Sequence, residues 1–335
     1  MAPRRPHCIG LALGSGAARG WAHIGVINAL ADAGIEPQVV AGASIGAVVG
    51  AAFAAGKLAP YEEWVRQLDR RKVISYFDFS LRGGLIKAVR VFEFLRAQLP
   101  EQMIETMPRA FAAVATDLYT GDEVWLREGL LIDALRASGA IPGMVKPVYL
   151  DGRWMVDGGL INPVPVSLCR ALGADFIIAV DLNTVLLPRR FRQTVSAPPP
   201  EARAETEAAA EVAAEAELAA QDGRWQAMMR SLSVDLRQMW RTEPAVESQT
   251  PPSILEVLAS SIDIMQMRIT RSRIAGDPPE LLIAPQLPDF GMLDFDRAAE
   301  AIEEGRRATR LALASLPRGI IDSPVDEVAA GKSSK

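Results

Sequence analysis

The stretch Gly42-Ala43-Ser44-Ile45-Gly46 places a serine in a frame of glycines. It lies between an apolar run, Pro37 to Ala43, and a run of small residues, Ile45 to Gly56. A serine at the sharp turn between a strand and a helix is the nucleophile-elbow pattern. The turn needs neighbours without bulk, and Gly42 and Gly46 meet that need. The helix that follows would offer free N–H groups and the positive end of its dipole to developing negative charge. The same five residues serve a purely structural turn equally well.

A serine nucleophile needs a base. The chain has two histidines, His7 and His23, and both precede Ser44. A hydrolase triad in the order Ser, Asp or Glu, His is therefore impossible. His23 reads as a packed or half-exposed residue in the first turn of a helix, and His7 lies in a frayed terminus. A carboxylate can replace histidine if it reaches the hydroxyl. The best-framed carboxylate is Asp157, which follows the strand-like Trp154-Met155-Val156 and precedes Gly158 and Gly159. Asp-Gly also starts ordinary turns. A Ser-Lys pair is a further option, but Lys57, Lys72, Lys87 and Lys146 have no comparable local frame.

A third element precedes both. Gly14-Ser15-Gly16 joins an apolar run to a helical pattern, and Ala17 and Arg19 follow. Backbone N–H groups in such a turn can hold an oxyanion, and Arg19 can add positive charge or clamp the loop. As a dinucleotide fingerprint the stretch fails. The third glycine of a pattern begun at Gly14 is replaced by Arg19, and the next strand ends without an acid. A P-loop lacks its Gly-Lys-Ser/Thr. No His/Cys cluster has metal-ligand spacing.

These three elements must be positioned by a scaffold. Strands are predicted at 8–14, 37–44, 111–118 and 175–182, with helices at 20–34 and from Ser44 to Gly56 between them. This order argues for a parallel sheet covered by helices on both faces. Further on, a helix spans 253–274, a short strand 279–285 and a charged-faced helix 294–316. Val39 to Gly56 is uncharged and long enough to cross a bilayer, but its small residues suit a strand and a helix better. Arg19 and His23 interrupt the N-terminal apolar run, which argues against a cleaved signal.

The chain has 335 residues, 49% of them hydrophobic, and a net charge of −5. That is ample for a core and gives no basic field for nucleic acid. Two cysteines, Cys8 and Cys169, make no disulfide framework and fit a reducing compartment. Residues 186–250 are rich in Pro, Ala and Glu and read as a mobile insertion or a solvated helix. The stretch 76–95 is apolar enough for a cap or interfacial helix, though an ordinary core helix explains its spacing. The domain reading is a core at 8–182, a variable insertion at 186–250, a helical part at 251–318 that completes the domain, and a disordered tail at 319–335.

The Gly-rich loop, the serine turn and Asp157-Gly158-Gly159, in this order, resemble the patatin-like phospholipase family, most closely its bacterial RssA-like members. "ATDLYTG" (115–121), "ASGAIPGMVKPV" (137–148), "VDGGLINPVPV" (156–166), "LGADFIIAVDL" (172–182) and "RSRIAGDPPELLIAP" extend the likeness. It covers about 8–182 and 251–315 and fails over 186–250. The resemblance implies a three-layer α/β/α sandwich with a mainly parallel sheet. It implies a Ser-Asp dyad, with Ser44 as nucleophile and Asp157 as base, and an oxyanion hole from Gly14, Ser15, Gly16 and Ala17 supported by Arg19. Ser15 and Ala17 stand where the family commonly has glycine. The implied activity is hydrolysis of lipid acyl esters, of phospholipase or lysophospholipase type, without metal or other cofactor. A regulatory or scaffold protein on the same fold, and a lipid acyltransferase, are the alternatives. The expected partners are a lipid or other ester substrate and, transiently, a membrane surface, with no nucleic acid. The expected location is the cytoplasm, with peripheral contact at the inner membrane face. Oligomeric state is left open.

Overall fold

The computed structural model describes residues 8–76, 96, 101–184 and 254–316. His7, the stretch 77–95, residues 186–250 and the tail 319–335 lie outside the described residues. The chain divides into two units, Met1–Val185 with Ser261–Lys335, and Leu186–Ser260. Of the second unit only the start of one helix, 254–260, is described.

The centre is a sheet of eight strands. They are β1 (Ile9–Leu13), β2 (Val39–Ala43), β3 (Ala110–Asp117), β4 (Glu123–Leu126), β5 (Val148–Leu150), β6 (Arg153–Asp157), β7 (Phe176–Val180) and β8 (Leu281–Ile283). Strands β3, β2, β1, β7 and β8 run parallel in that spatial order. Strands β4 and β6 pair antiparallel with β3, and β5 pairs antiparallel with β6.

The register on β3 has a specific consequence. Val114 faces Ala43 of β2 and also Trp125 of β4. Ala115 faces Asp157 of β6 and also Val124 of β4. A strand has two edges, so β4 occupies one and β2 and β6 share the other. Strands β2 and β6 therefore run toward each other along one edge of β3. They end at Ala43 and Asp157, opposite the neighbouring residues Val114 and Ala115.

The helices are α1 (Ala22–Asp32), α2 (Ile45–Ala54), α3 (Leu58–Arg66), α4 (Arg70–Tyr76), α5 (Leu131–Ser138), α6 (Val166–Ala171), α7 (Ile254–Gly276) and α8 (Ala298–Ala314). Every residue of β2 and β7 is buried, as is expected for parallel strands covered on both faces. On one face Ala12, Ala41, Ala43, Val114 and Ala179 pack with Val166, Leu168 and Cys169 of α6. On the other, α2 lies on Leu13, Val40 and Phe111 around Gly50. This is the three-layer sandwich with a mostly parallel sheet that the pattern predicts.

The uncharged run Val39 to Gly56 is a strand, a turn and a helix. No described helix is long and apolar enough to cross a membrane. The predicted helix from residue 20 begins at Ala22 and is preceded by a 3-10 turn, Ala17–Trp21. The short antiparallel strands β4 and β5 had no clear sequence signal, because each is a partly exposed edge of three or four residues.

Helix α2 approaches β1 so closely that a side chain at Gly46 would strike the Leu13 carbonyl. Backbone cannot move aside as a side-chain tip can. Gly46→Ala is expected to lower stability by about 1–3 kcal/mol in chemical denaturation.

Candidate active site

Ser44 follows β2 and opens α2 with φ 56° and ψ −124°. A non-glycine residue holds such a conformation only when its surroundings impose it. Here the cause is visible. Strand β2 cannot continue along β3, because Asp157 already occupies the next position on that edge. Gly42 lets the chain fold back, since a side chain there would meet the backbone of Ala47. Ser44 is 4% exposed.

Asp157 is held from three sides. Its N–H donates to the Ala140 carbonyl at 3.0 Å. Its own carbonyl accepts from the Thr116 hydroxyl at 2.9 Å. Its Oδ1 accepts from Gly159 N–H at 2.7 Å. A methyl group at Gly159 would stand 2.8 Å from this carboxylate and 2.5 Å from the Gln266 amide nitrogen, so a side chain here would push both out of place. Oδ2 is buried and makes no hydrogen bond within 3.5 Å. Burial pushes the carboxyl pKa from 3.8 to about 6; the nearby Ser44 hydroxyl and the Gly159 N–H pull it partly back. The hydroxyl thus acts on the carboxylate from close by without a closed hydrogen bond to Oδ2.

The Ala137-Ser138-Gly139-Ala140 stretch links both residues. Ser138 Oγ accepts from the Ser44 N–H at 2.9 Å, and Ala140 supplies the carbonyl for Asp157. This stretch lies in one of the segments that carry the family likeness, but nothing in its sequence pointed to a role.

The Gly-rich loop passes the same point. Gly14 N–H donates to Val180 O at 3.0 Å, Ser15 N–H to Pro163 O at 2.9 Å, and Arg19 N–H to Gly16 O at 3.1 Å. Gly16 and Ala17 N–H make no hydrogen bond among the described residues. Of the five loop residues expected to form or support an oxyanion hole, two therefore have free donors, and the Gly14 and Ser15 donors are already used. Ala17 takes a positive φ of 49° at this turn. Arg19 is 1% exposed. Its Nε donates to Gly16 O at 3.1 Å, and its Nη2 pairs with Asp263 at 2.8 Å.

His23 is fully buried, and its Nε2 lies 2.8 Å from the Gly14 carbonyl. A carbonyl only accepts, so Nε2 carries the proton. Nδ1 has no partner. Burial lowers the pKa to about 4, so the ring is neutral. It supports the loop from behind and does not reach Ser44.

One cavity gathers these groups. Ser44, Asp157, Gly16, Ala17, Arg19 and Gln266 line it together with apolar Ile141, Pro142, Leu160, Ile262 and Met292. Gln266 and Asp263 come from α7, more than 240 residues after the loop. The sequence reading missed them, along with Asn183, because a lone amide or acid on a helix or after a strand carries no motif.

The patatin-like phospholipase family model matches residues 11–170. An NTE family protein of Mycobacterium bovis, Mb1092c, is 37% identical over 331 residues, 91% of each chain. A second M. bovis NTE family protein, Mb2594, is 28% identical over 92% of this chain and 47% of its own length. Lysophospholipase NTE1 of Pyricularia oryzae is 26% identical over 89% of this chain, which spans 18% of that protein. Among solved structures, VipD of Legionella pneumophila is similar with a TM-score of 0.40 and 13% identity, over 94% of this chain and 68% of that one.

Asp157 carries a cost that its removal should reveal. A folded-state pKa above the unfolded one means that the folded protein binds the proton more tightly. The penalty is absent below about pH 4 and grows as pH rises to about 6. Asp157→Asn is expected to be more stable than the parent by about 2–3 kcal/mol at pH 7. The difference should vanish below pH 4. Comparing the two proteins by denaturation at several pH values isolates this effect from the opposite trend of His23, whose lowered pKa favours unfolding as pH falls from 6.5 toward 4.

By its sequence relatives, this chain belongs to the NTE family, and its residues 11–170 match the patatin-like phospholipase model.

Proposed function

We propose that the protein is a serine acyl-ester hydrolase of lipids, of phospholipase or lysophospholipase type, working through a Ser44–Asp157 dyad. The observation that carries this reading is the convergence of Ser44, a buried carboxylate of raised pKa, and two adjacent unpaired backbone donors in one cavity.

Asp157 takes the Ser44 proton as the hydroxyl oxygen attacks the ester carbonyl. The tetrahedral oxyanion is held by Gly16 and Ala17 N–H. The leaving alcohol or lysolipid takes the proton from Asp157, and Ser44 keeps the acyl group. Asp157 then takes a proton from water, whose oxygen attacks the acyl-enzyme. The proton returns to Ser44 as the fatty acid leaves. The five apolar lining residues suit an acyl chain. A substrate of this kind reaches the site from a membrane surface or a micelle by transient contact. Both cysteines are free, which accords with a cytoplasmic setting.

The test is fatty-acid release from lysophospholipid micelles. Ser44→Ala should abolish it. For the parent protein, kcat/KM should fall about tenfold per pH unit below an apparent pKa near 6, because Asp157 must be ionised to act as base. Activity that survives Ser44→Ala, or that is flat from pH 5 to 8, would contradict the reading.

A further inference from the structure

In a trans peptide the carbonyl and the following N–H point in opposite directions, and no cis bond occurs among the described residues. Whatever holds the carbonyl of Ser15 therefore aims the Gly16 N–H, and whatever holds the carbonyl of Gly16 aims the Ala17 N–H. The Gly16 carbonyl is held within the loop by Arg19. The Ser15 carbonyl is held by the Asn183 amide at 3.3 Å.

The atoms of this contact can be assigned by elimination. Ser15 O only accepts, so the Asn183 atom facing it is the nitrogen. That nitrogen also lies 3.1 Å from Gln266, whose facing atom must be the amide oxygen. The Ser15 hydroxyl donates to the same oxygen at 2.8 Å. Gln266 thus fixes both Asn183 and the Ser15 side chain. Asn183 is placed in turn by Asp181, which directly follows β7. Asp181 Oδ1 accepts the Asn183 N–H at 2.9 Å, and Oδ2 accepts the Thr184 hydroxyl at 2.7 Å. Asn183 is 1% exposed and Gln266 6%. One turn before Gln266 on α7, Asp263 holds Arg19.

We propose that Asn183 and Gln266 are positioning residues for hydrolysis: through the Ser15 carbonyl and hydroxyl they aim the Gly16 donor at the oxyanion. The proposal rests on the hydrolase reading above and extends it to two residues outside every motif of the chain. Asn183→Asp replaces a donor by an acceptor that faces two oxygens. Gln266→Met keeps the volume and removes the acceptor.

The experiment measures kcat, KM, the pH profile and thermal stability on a soluble p-nitrophenyl ester. It compares the full chain, each variant, the double variant and Ser44→Ala. Removing an oxyanion donor outright costs about 10²–10³ in rate, so a misaimed one should lower kcat by about tenfold or more. KM should change by less than about threefold, and the apparent pKa near 6 should stay in Gln266→Met, which adds no charge and leaves the Ser44 and Gly159 partners of Asp157 in place. The double variant should be little worse than the poorer single one, since both act on one carbonyl. Ser44-dependent turnover with kcat near the parent value in both single variants overturns the proposal alone. So does a loss that tracks the folded fraction or appears only in KM. Turnover that does not depend on Ser44, or no turnover in the parent, removes the hydrolase reading and the proposal with it.

Discussion

One edge of β3 serves two strands that run toward each other, and the site depends on this. Strand β2 ends at Ala43 opposite Val114, and β6 ends at Asp157 opposite Ala115. Neither strand can extend, because the other occupies the next position. The chain after β2 must turn, which places Ser44 in a strained conformation at the head of α2. The chain after β6 must also turn, which Gly158 and Gly159 permit. Two residues more than a hundred positions apart in sequence thus become neighbours through backbone register, with no need for a long side chain to bridge them. Packing on both faces of the sheet keeps that register fixed, since a one-residue slip would move every side chain of a strand to the opposite face, where it does not fit.

The electrostatics follow from the same junction. A carboxylate at the meeting point of the buried ends of two strands is largely cut off from water. Burial raises its pKa to about 6, a range that suits the general-base role proposed for it. The buried charge costs stability, and Gly159 N–H offsets part of that cost. His23 is buried and neutral behind the Gly-rich loop. Ser138 and Ala140 tie Ser44 and Asp157 to the end of α5, so the pair is braced by a third element. Helix α7 grips the loop at Arg19 and at Ser15, which brings the C-terminal part of the chain into the architecture of the site.

The parallel strands and the main helices were legible because their apolar runs are long and their periods distinct. The Gly42–Gly46 frame and the Asp157-Gly158-Gly159 turn were legible for a different reason. Each glycine there stands where a side chain would meet backbone or the carboxylate, so the constraint is written in residue type. The loop was legible as a loop, but which of its N–H groups are free was not. That depends on Val180 and Pro163, whose carbonyls take the Gly14 and Ser15 donors from distant parts of the chain. Asn183, Asp263 and Gln266 were invisible for a similar reason. Their meaning lies in which atoms they face, and single polar residues carry no spacing.

The central claim is that the β3 junction makes Ser44 a nucleophile activated by Asp157. Labelling with a fluorophosphonate probe tests it most directly, with intact mass and peptide mapping of the parent, Ser44→Ala and Asp157→Asn proteins. The account predicts a single adduct on Ser44, absent in the alanine variant and formed much more slowly in the asparagine one. A well-folded parent protein left unlabelled in the presence of lipid vesicles, or an adduct on another residue, would contradict it.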